Sequence, residues 1–115
     1  MKNLLLTGFG PFSKHLVNPT EGLALALDGK LINGYKIKSF ILPVEYENST
    51  TKLTHLIDSY NPHVIIGLGL AASSSSITPE LIAINYQHSS IEDNIGVMKQ
   101  FSKINPAGKE SFFST

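Results

Sequence analysis

The stretch VIIGLGLAASSSSITPELIAIN, residues 64–85, decides the fold of this chain. It opens with an apolar run at residues 64–66, which a Gly-Leu-Gly turn closes. A short apolar run that ends in turn residues predicts a strand buried on both faces, as in a parallel sheet. A loop of small residues follows, and a second apolar run at residues 81–84 makes residues 81–85 a further strand candidate.

A single carboxylate, Glu80, lies between the two apolar segments, just past the C-terminal end of the first predicted strand. In open α/β sheets, ligands bind and reactions occur beyond the carboxyl ends of the strands. A charge among apolar neighbours is costly unless a partner compensates it. Two interpretations are open: a structural cap or ion-pair partner, or a carboxylate that orients a histidine. The absence of arginine from the chain favours the second.

Strands and helices alternate along the chain on the N-terminal side of this stretch. Strands are predicted at residues 2–7 and 35–42. One helix is predicted to begin after the cap Asn18 and to end at Gly29. A second is predicted over residues 46–60, where apolar residues recur every three or four positions. The β-α-β-α-β order indicates an α/β fold, in which helices pack on a parallel sheet.

The chain from Gln87 onward is polar and rich in turn residues, so we expect loop there and no closing helix or strand. A compact domain rarely ends in a loop of such length. We therefore expect a single α/β domain over residues 1–115 that is incomplete at its C-terminus.

The charge balance argues against nucleic acid as a partner. Nine lysines and no arginine face nine acidic residues, and the formal net charge is zero. No basic face is therefore expected, and the usual bidentate reader of phosphate is missing. Self-association into a homo-oligomer is left open.

The sequence also predicts a cytoplasmic protein without a membrane partner. No apolar run reaches membrane-spanning length, and the N-terminal apolar run is too short for a signal peptide. The chain has no cysteine, which excludes disulfides, thiolate metal sites and a cysteine nucleophile within these residues. No histidine pair has the spacing of metal ligands, and no cofactor is expected.

Two other motifs are weaker. Gly67-x-Gly69-x-x-Ala72 matches the dinucleotide fingerprint after a strand, but serines and a proline follow where the site needs a helix. A tight strand-to-loop turn explains it better. The serine run at residues 73–76 has His88 nearby in sequence, yet no Gly-x-Ser-x-Gly elbow is present. A solvated loop explains the serines better than a catalytic triad.

Two aromatic residues, Phe9 and Phe12, flank a glycine-proline turn after the first predicted strand. They are either core residues or the walls of a small-molecule pocket at the C-terminal edge of the sheet. The residues alone do not separate these two interpretations.

Eight short segments resemble the pyroglutamyl-peptidase I family, the pyrrolidone-carboxylate peptidases, in order and spacing. In chain order they are Thr7-Gly8-Phe9-Gly10-Pro11-Phe12, Asn18-Pro19-Thr20, Leu42-Pro43-Val44, Gly69-Leu70-Ala71, Ile77-x-x-Glu80, Ala83-x-Asn85, Asp93-Asn94-x-Gly96 and Phe113-Ser114-Thr115. Each motif is short, but the ordered set is specific and covers the whole chain. The resemblance implies the N-terminal half of an open, twisted, mostly parallel α/β sheet with helices on both faces, of the phosphorylase/hydrolase-like kind.

The resemblance also implies a function and a set of site residues. Members are cysteine peptidases that remove an N-terminal pyroglutamyl residue from peptides, with a Cys-His-Glu triad and no metal. The family's acid aligns with Glu80, and its aromatic ring-binding pair aligns with Phe9 and Phe12. Asn18 matches a polar position that supports the loop from Phe9 to Phe12, called the aromatic loop below. The backbone of Leu70 is expected near the lactam ring of the pyroglutamyl residue.

The chain departs from the family pattern at several positions. The family's catalytic cysteine and histidine lie beyond the last residue here. Ser73-Ser74 stands where the family usually has Gly-Arg, Leu81 replaces an arginine after the acid, and Ser13-Lys14 replaces glycines after the aromatic loop. Two alternatives to the peptidase therefore stay open: an inactive fragment or paralogue that acts as a binding module, and a nucleotide-binding α/β domain.

Overall fold

The computed structural model describes residues 1–12 and 16–115. It divides into two compact units, Met1–Leu70 and Ala71–Thr115. The first unit contains, in chain order, β1 (Lys2–Phe9), α1 (Pro19–Leu27), β2 (Leu31–Ile32), β3 (Tyr35–Leu42), α2 (Tyr46–Tyr60) and β4 (Val64–Gly67). The second contains β5 (Ile82–Ile84) and β6 (Ser111–Phe113).

The first unit is built on a four-stranded sheet with the order β2-β3-β1-β4. β1 pairs in parallel with both β3 and β4, and only the two-residue β2 runs antiparallel, against β3. The register places Thr7 of β1 opposite Gly67 of β4, so both strands end at the same edge. The prediction of a mostly parallel α/β sheet is confirmed.

The two long helices form where the sequence predicts them. Asn18 caps α1 with its side chain, Pro19 occupies the first turn, and Gly29 follows the helix with a φ of +78°, a conformation that favours glycine. α2 covers the predicted residues 46–60 and ends at Asn61, which is in the left-handed conformation.

Two apolar clusters show that the helices cover opposite faces of the sheet. Leu5 of β1 packs with Leu56 of α2, whereas Leu6 packs with Ala24 of α1. Adjacent residues of a strand point to opposite faces, so α2 lies on one face and α1 on the other. Each fully buried leucine stabilises the fold by roughly 2 kcal/mol.

The prediction that residues 64–66 are buried on both faces is wrong for this chain. β4 is the last strand of its sheet in the described residues, and Ile65 and Ile66 are 46% and 43% exposed. The apolar run does form a parallel strand, but only β1 covers it. The composition of the strand predicts its conformation, whereas its burial depends on neighbours that the described residues do not supply.

The prediction of loop without a closing strand after Gln87 is also wrong. β6 pairs antiparallel with β5, and Ile82 lies opposite Phe113. An isolated bridge joins Gln87 to Ser102. Three residues at the end of a polar segment carry too little periodicity to reveal a strand. The strand candidate at residues 81–85 is confirmed as β5, which is shorter, Ile82–Ile84.

The second unit has one well-buried polar anchor, Asn85. Its side-chain amide donates to the carbonyl of Asn105 at 2.7 Å, and its Oδ1 accepts from the N–H groups of Ile104 and Asn105 at 3.1 and 2.9 Å. One buried side chain thus fixes the turn that precedes β6. Large apolar side chains of the same unit remain exposed, with Phe101 at 78% and Phe113 at 73%.

Candidate active site

The aromatic loop begins where β1 ends. Phe9 is half-buried and packs against the cluster that contains Leu5 and Leu56. Its N–H donates to Oγ1 of Thr20 at 2.9 Å, so the first turn of α1 holds the end of the strand. Phe9 is therefore a core residue in part, and its backbone is fixed at the C-terminal edge of the sheet.

Asn18 joins this loop to α1. Its Oδ1 accepts from the N–H of Thr20 at 3.0 Å and from the Thr20 hydroxyl at 2.7 Å. Its side-chain amide donates to the carbonyl of Gly10 at 3.2 Å. The side chain is buried, so these hydrogen bonds satisfy polar groups that water cannot reach. Asn18 thus caps the helix and holds the loop at once.

The glycines of the loop permit this close approach. A Cβ on Gly8 would lie 2.4 Å from the carbonyl oxygen of Thr20, which no side chain tolerates. The N–H of Gly10 donates to the carbonyl of Leu42, at the end of β3, at 3.1 Å. Strand, helix and neighbouring strand therefore all fix the position of the loop.

The other candidates of the first unit follow the C-terminal ends of β1 and β4 along the chain. Phe12 is half-buried, and Leu70 is 40% exposed, three residues beyond the end of β4. Because β1 and β4 end side by side, Phe9 and Leu70 emerge from neighbouring strands. The predicted differences from the family at Ser13 and Lys14 lie outside the described residues.

Glu80 belongs to the second unit and is exposed. In the described part of the chain, no side chain pairs with its carboxylate. Its backbone is held instead: the Ser114 hydroxyl donates to the Glu80 carbonyl at 2.5 Å, and the Ser114 N–H donates to the Leu81 carbonyl at 2.8 Å. The segment before β5 is thus tied to the segment after β6, while the carboxylate oxygens are available. The expected cost of a charge among apolar neighbours does not arise, because Ile77 and Leu81 are exposed too.

A comparison with known protein families decides the identity of this fold. The model of the pyroglutamyl peptidase family matches residues 2–115. The chain belongs to the pyroglutamyl peptidase family.

Individual relatives agree with this assignment. A pyrrolidone-carboxylate peptidase of Oceanobacillus iheyensis is 41% identical over all 115 residues, and one of Saccharolobus islandicus is 40% identical over 96% of the chain. These matches cover 57% and 53% of the two relatives, so the chain spans about half the length of the curated relatives it matches.

Solved structures of pyroglutamyl peptidases show the same fold. Pyrrolidone carboxyl peptidase of Thermococcus litoralis matches the whole chain with a TM-score of 0.97 and 36% identity, over 52% of its own length. Pyroglutamyl peptidase I of Bacillus amyloliquefaciens matches 99% of the chain with a TM-score of 0.95 and 32% identity, over 55% of its own length.

The glycine motif after β4 lacks the geometry of a dinucleotide site. Residues 68–81 form turns and bends, and no helix begins between β4 and β5. A pyrophosphate site on this motif needs the N–H groups of a helix N-terminus. Gly67 and Gly69 therefore form a strand-to-loop turn, and the pattern gives no support to nucleotide binding in this member of the pyroglutamyl peptidase family.

The serines and histidines form local contacts instead of a triad. The Ser74 hydroxyl donates to the Ser76 carbonyl at 2.9 Å, and Nδ1 of His88 accepts from the Phe101 N–H at 3.3 Å while its ring stacks on Phe101. Within residues 71–115, no hydrogen bond joins His88 to these serines. Among the described residues, no group of three His, Cys, Asp or Glu could hold a metal, and no helix there could cross a membrane.

Two residues, one in each unit, fix the backbone of a candidate site residue and were not predicted from the sequence. Thr20 fixes the N–H of Phe9, and Ser114 holds the backbone on both sides of the Glu80–Leu81 peptide bond. Both lie in segments shared with the family, Asn-Pro-Thr and Phe-Ser-Thr. Their position in these shared segments was the only sequence feature that could have identified them. Neither residue has the charge or the aromatic ring that marks a candidate by itself.

Proposed function

We propose that this chain is part of a cysteine peptidase that removes N-terminal pyroglutamyl residues from peptides, with Glu80 as the acid of a Cys-His-Glu triad. The nucleophilic cysteine is not among these 115 residues, which contain none. In this proposal, as the family resemblance implies, the cysteine and the catalytic histidine come from the portion of a pyroglutamyl peptidase that this chain does not span. We expect the 115-residue chain by itself to be inactive toward such peptides, because it has no thiol nucleophile.

The state of Glu80 carries the proposal. A triad acid must accept the imidazole N–H of the catalytic histidine, so at least one of its carboxylate oxygens must be available for that bond. Glu80 has an exposed carboxylate that no described side chain pairs with, on a backbone that Ser114 holds. A structural ion pair, the competing interpretation, needs a cation partner, and the described residues supply none to Glu80.

The chemistry follows the usual division of labour in a thiol peptidase. The histidine takes the thiol proton, and the thiolate attacks the carbonyl carbon of the pyroglutamyl residue. The C–N bond breaks, the histidine returns the proton to the leaving amine, and water then hydrolyses the thioester. Glu80 keeps the imidazole in the required tautomer and stabilises its charged form, without taking the proton itself.

The aromatic loop provides the binding surface for the lactam ring. A lactam ring is small, flat and mostly apolar, so the faces of Phe9 and Phe12 suit it. Backbone groups near Leu70 fix its orientation by hydrogen bonds. Asn18 acts indirectly, because it holds the Gly10 carbonyl and hence the loop between the two phenylalanines.

A fusion protein tests the proposal. The segment that follows the matched part of the Oceanobacillus iheyensis relative is joined to Thr115, and release of a chromogenic amine from pyroglutamyl and prolyl arylamides is measured. We expect turnover of the pyroglutamyl substrate only, abolished by thiol alkylation, and none by the 115-residue chain. A folded fusion without such activity refutes the proposal. So does turnover by the 115-residue chain that resists alkylation, because it would require a different nucleophile.

A further inference from the structure

Ser114 makes two hydrogen bonds of different kinds to the segment that carries Glu80. In the β5–β6 ladder, Ile82 lies opposite Phe113. One step outward, the Ser114 N–H donates to the Leu81 carbonyl at 2.8 Å, which extends the ladder. The Ser114 hydroxyl donates to the Glu80 carbonyl at 2.5 Å, beyond the ladder. The first bond is available to any residue but proline, whereas the second needs the serine side chain.

The hydroxyl bond holds a backbone that has little other support. Residues 77–81 lie ahead of β5 and are neither helix nor strand. In the described chain, the two bonds from Ser114 are the hydrogen bonds that tie this segment to another one. Packing does not replace them, because Ile77 and Leu81 are 91% and 67% exposed. The position of the Glu80 backbone therefore depends on a residue 34 positions further along the chain.

The same bond leaves the Glu80 carboxylate free to accept from a histidine. A serine hydroxyl has one proton to donate, and here the backbone carbonyl of Glu80 accepts it. The hydroxyl therefore does not compete with an imidazole N–H for the carboxylate oxygens. Catalytic groups must be held within about 0.5 Å of the productive geometry. A displacement of about 1 Å can slow a reaction by about 100-fold.

We propose that Ser114 is a positioning residue for the triad acid, because its hydroxyl fixes the backbone from which the Glu80 carboxylate reaches the catalytic histidine. This inference rests on the proposed function, which makes Glu80 that acid. In this role Ser114 acts through Glu80 and contacts neither the substrate nor the reacting atoms. Loss of the hydroxyl should therefore lower kcat and leave KM almost unchanged.

Three variants of the fusion protein separate the hydroxyl bond from the ladder. Ser114→Ala removes the hydroxyl but keeps the N–H bond to Leu81, whereas Ser114→Thr keeps both donors and suits an extended backbone. Ser111→Ala is the matched control, at the other end of β6 and opposite Ile84. We expect Ser114→Ala to lower kcat for the pyroglutamyl arylamide by about 10- to 100-fold, with KM changed less than about twofold. The other two variants should stay within about threefold of the unsubstituted fusion.

A double-mutant cycle with Glu80→Gln shows whether Ser114 acts through the acid. If the hydroxyl positions Glu80, its removal matters only while the carboxylate is present. We expect Ser114→Ala to lower kcat less than about twofold further in the Glu80→Gln background. A general defect in folding or in substrate binding would instead cost the same factor in both backgrounds.

Backbone dynamics of the 115-residue chain test the hold without catalysis. The Glu80 carbonyl shares its peptide plane with the Leu81 N–H, so nitrogen-15 relaxation at that N–H reports on the hydroxyl bond. We expect its order parameter to fall from about 0.85, typical of a rigid backbone, to below about 0.6 in Ser114→Ala. Ser114→Thr should keep the higher value.

Three outcomes overturn the proposal: a kcat of Ser114→Ala within twofold of the unsubstituted fusion, equal losses in the two backgrounds of the cycle, or an unchanged order parameter at Leu81. Any of these beside an active fusion refutes the role of Ser114 and leaves the proposed function standing. A folded fusion without activity refutes the proposed function, and the positioning role falls with it.

Discussion

Replacement of Asn18 by alanine should both weaken α1 and release the aromatic loop. The buried side chain makes three hydrogen bonds: it caps the Thr20 N–H, accepts from the Thr20 hydroxyl and donates to the Gly10 carbonyl. Loss of an N-cap costs about 1 kcal/mol. Each buried group left without a partner costs about 1 kcal/mol more. We expect the free energy of unfolding to fall by about 2 to 3 kcal/mol.

Urea unfolding of the 115-residue chain, followed by circular dichroism, measures this loss. With an ordinary dependence on denaturant, the midpoint should fall by roughly 1 to 2 M. Asn48→Ala is the matched control, because the exposed Asn48 side chain bonds to half-buried Glu45 at the start of α2. Its effect should stay within about 0.5 kcal/mol.

A third variant, Asn18→Asp, separates the two roles of the side chain. The carboxylate retains the cap on the Thr20 N–H, but it replaces the donor to the Gly10 carbonyl with an acceptor. We expect a loss of about 1 to 2 kcal/mol, between wild type and the alanine variant. The reasoning is refuted if Asn18→Ala costs less than about 0.5 kcal/mol, or if Asn18→Asp is as stable as wild type.

Three further predictions concern the loop, the pocket and the second unit. Gly8→Ala should destabilise the chain by about 1 to 3 kcal/mol, because its Cβ would meet the Thr20 carbonyl. Gly22→Ala in α1, where a Cβ meets nothing, should instead stabilise the chain by up to about 1 kcal/mol. Equal denaturation midpoints for the two variants would contradict this prediction. In the active fusion, Phe12→Ala should raise KM for the pyroglutamyl arylamide with little change in kcat, and a fall in kcat alone would remove Phe12 from the binding surface. Amides of residues 87–115 should exchange quickly in the chain alone, since large apolar side chains there are exposed, and strong protection throughout that segment would contradict this.

Local elements of the first unit follow closely from the sequence. α2 occupies the predicted residues because its apolar residues recur at helical spacing, and β3 has the predicted bounds because Tyr35 begins a clear alternation that Pro43 stops. The cap of α1 at Asn18 follows from side-chain chemistry that acts within two residues. Such short-range preferences do not depend on the rest of the fold.

Long-range features could not be predicted in the same way. Apolar composition predicts that β4 is a strand, but its exposure depends on which strand lies beside it. β6 forms only because β5 offers a partner 29 residues earlier, and its three residues have no pattern of their own. The hydrogen bond from Asn18 to Gly10 could not be predicted, because it depends on where the loop folds back. For Glu80, the local residues left two interpretations open, and the family resemblance supplied its role as a hypothesis.

The most direct test of the central claim is the ratio of kcat/KM between Glu80→Gln and the unsubstituted fusion protein. Glu92→Gln, which removes another exposed carboxylate of the same unit, is the control. The account predicts a loss of roughly 100- to 10,000-fold for Glu80→Gln, because the amide cannot stabilise the charged histidine. It predicts no more than about a twofold change for Glu92→Gln, a surface site away from the chemistry. Full activity of the Glu80→Gln protein would contradict the assignment of Glu80 to the triad.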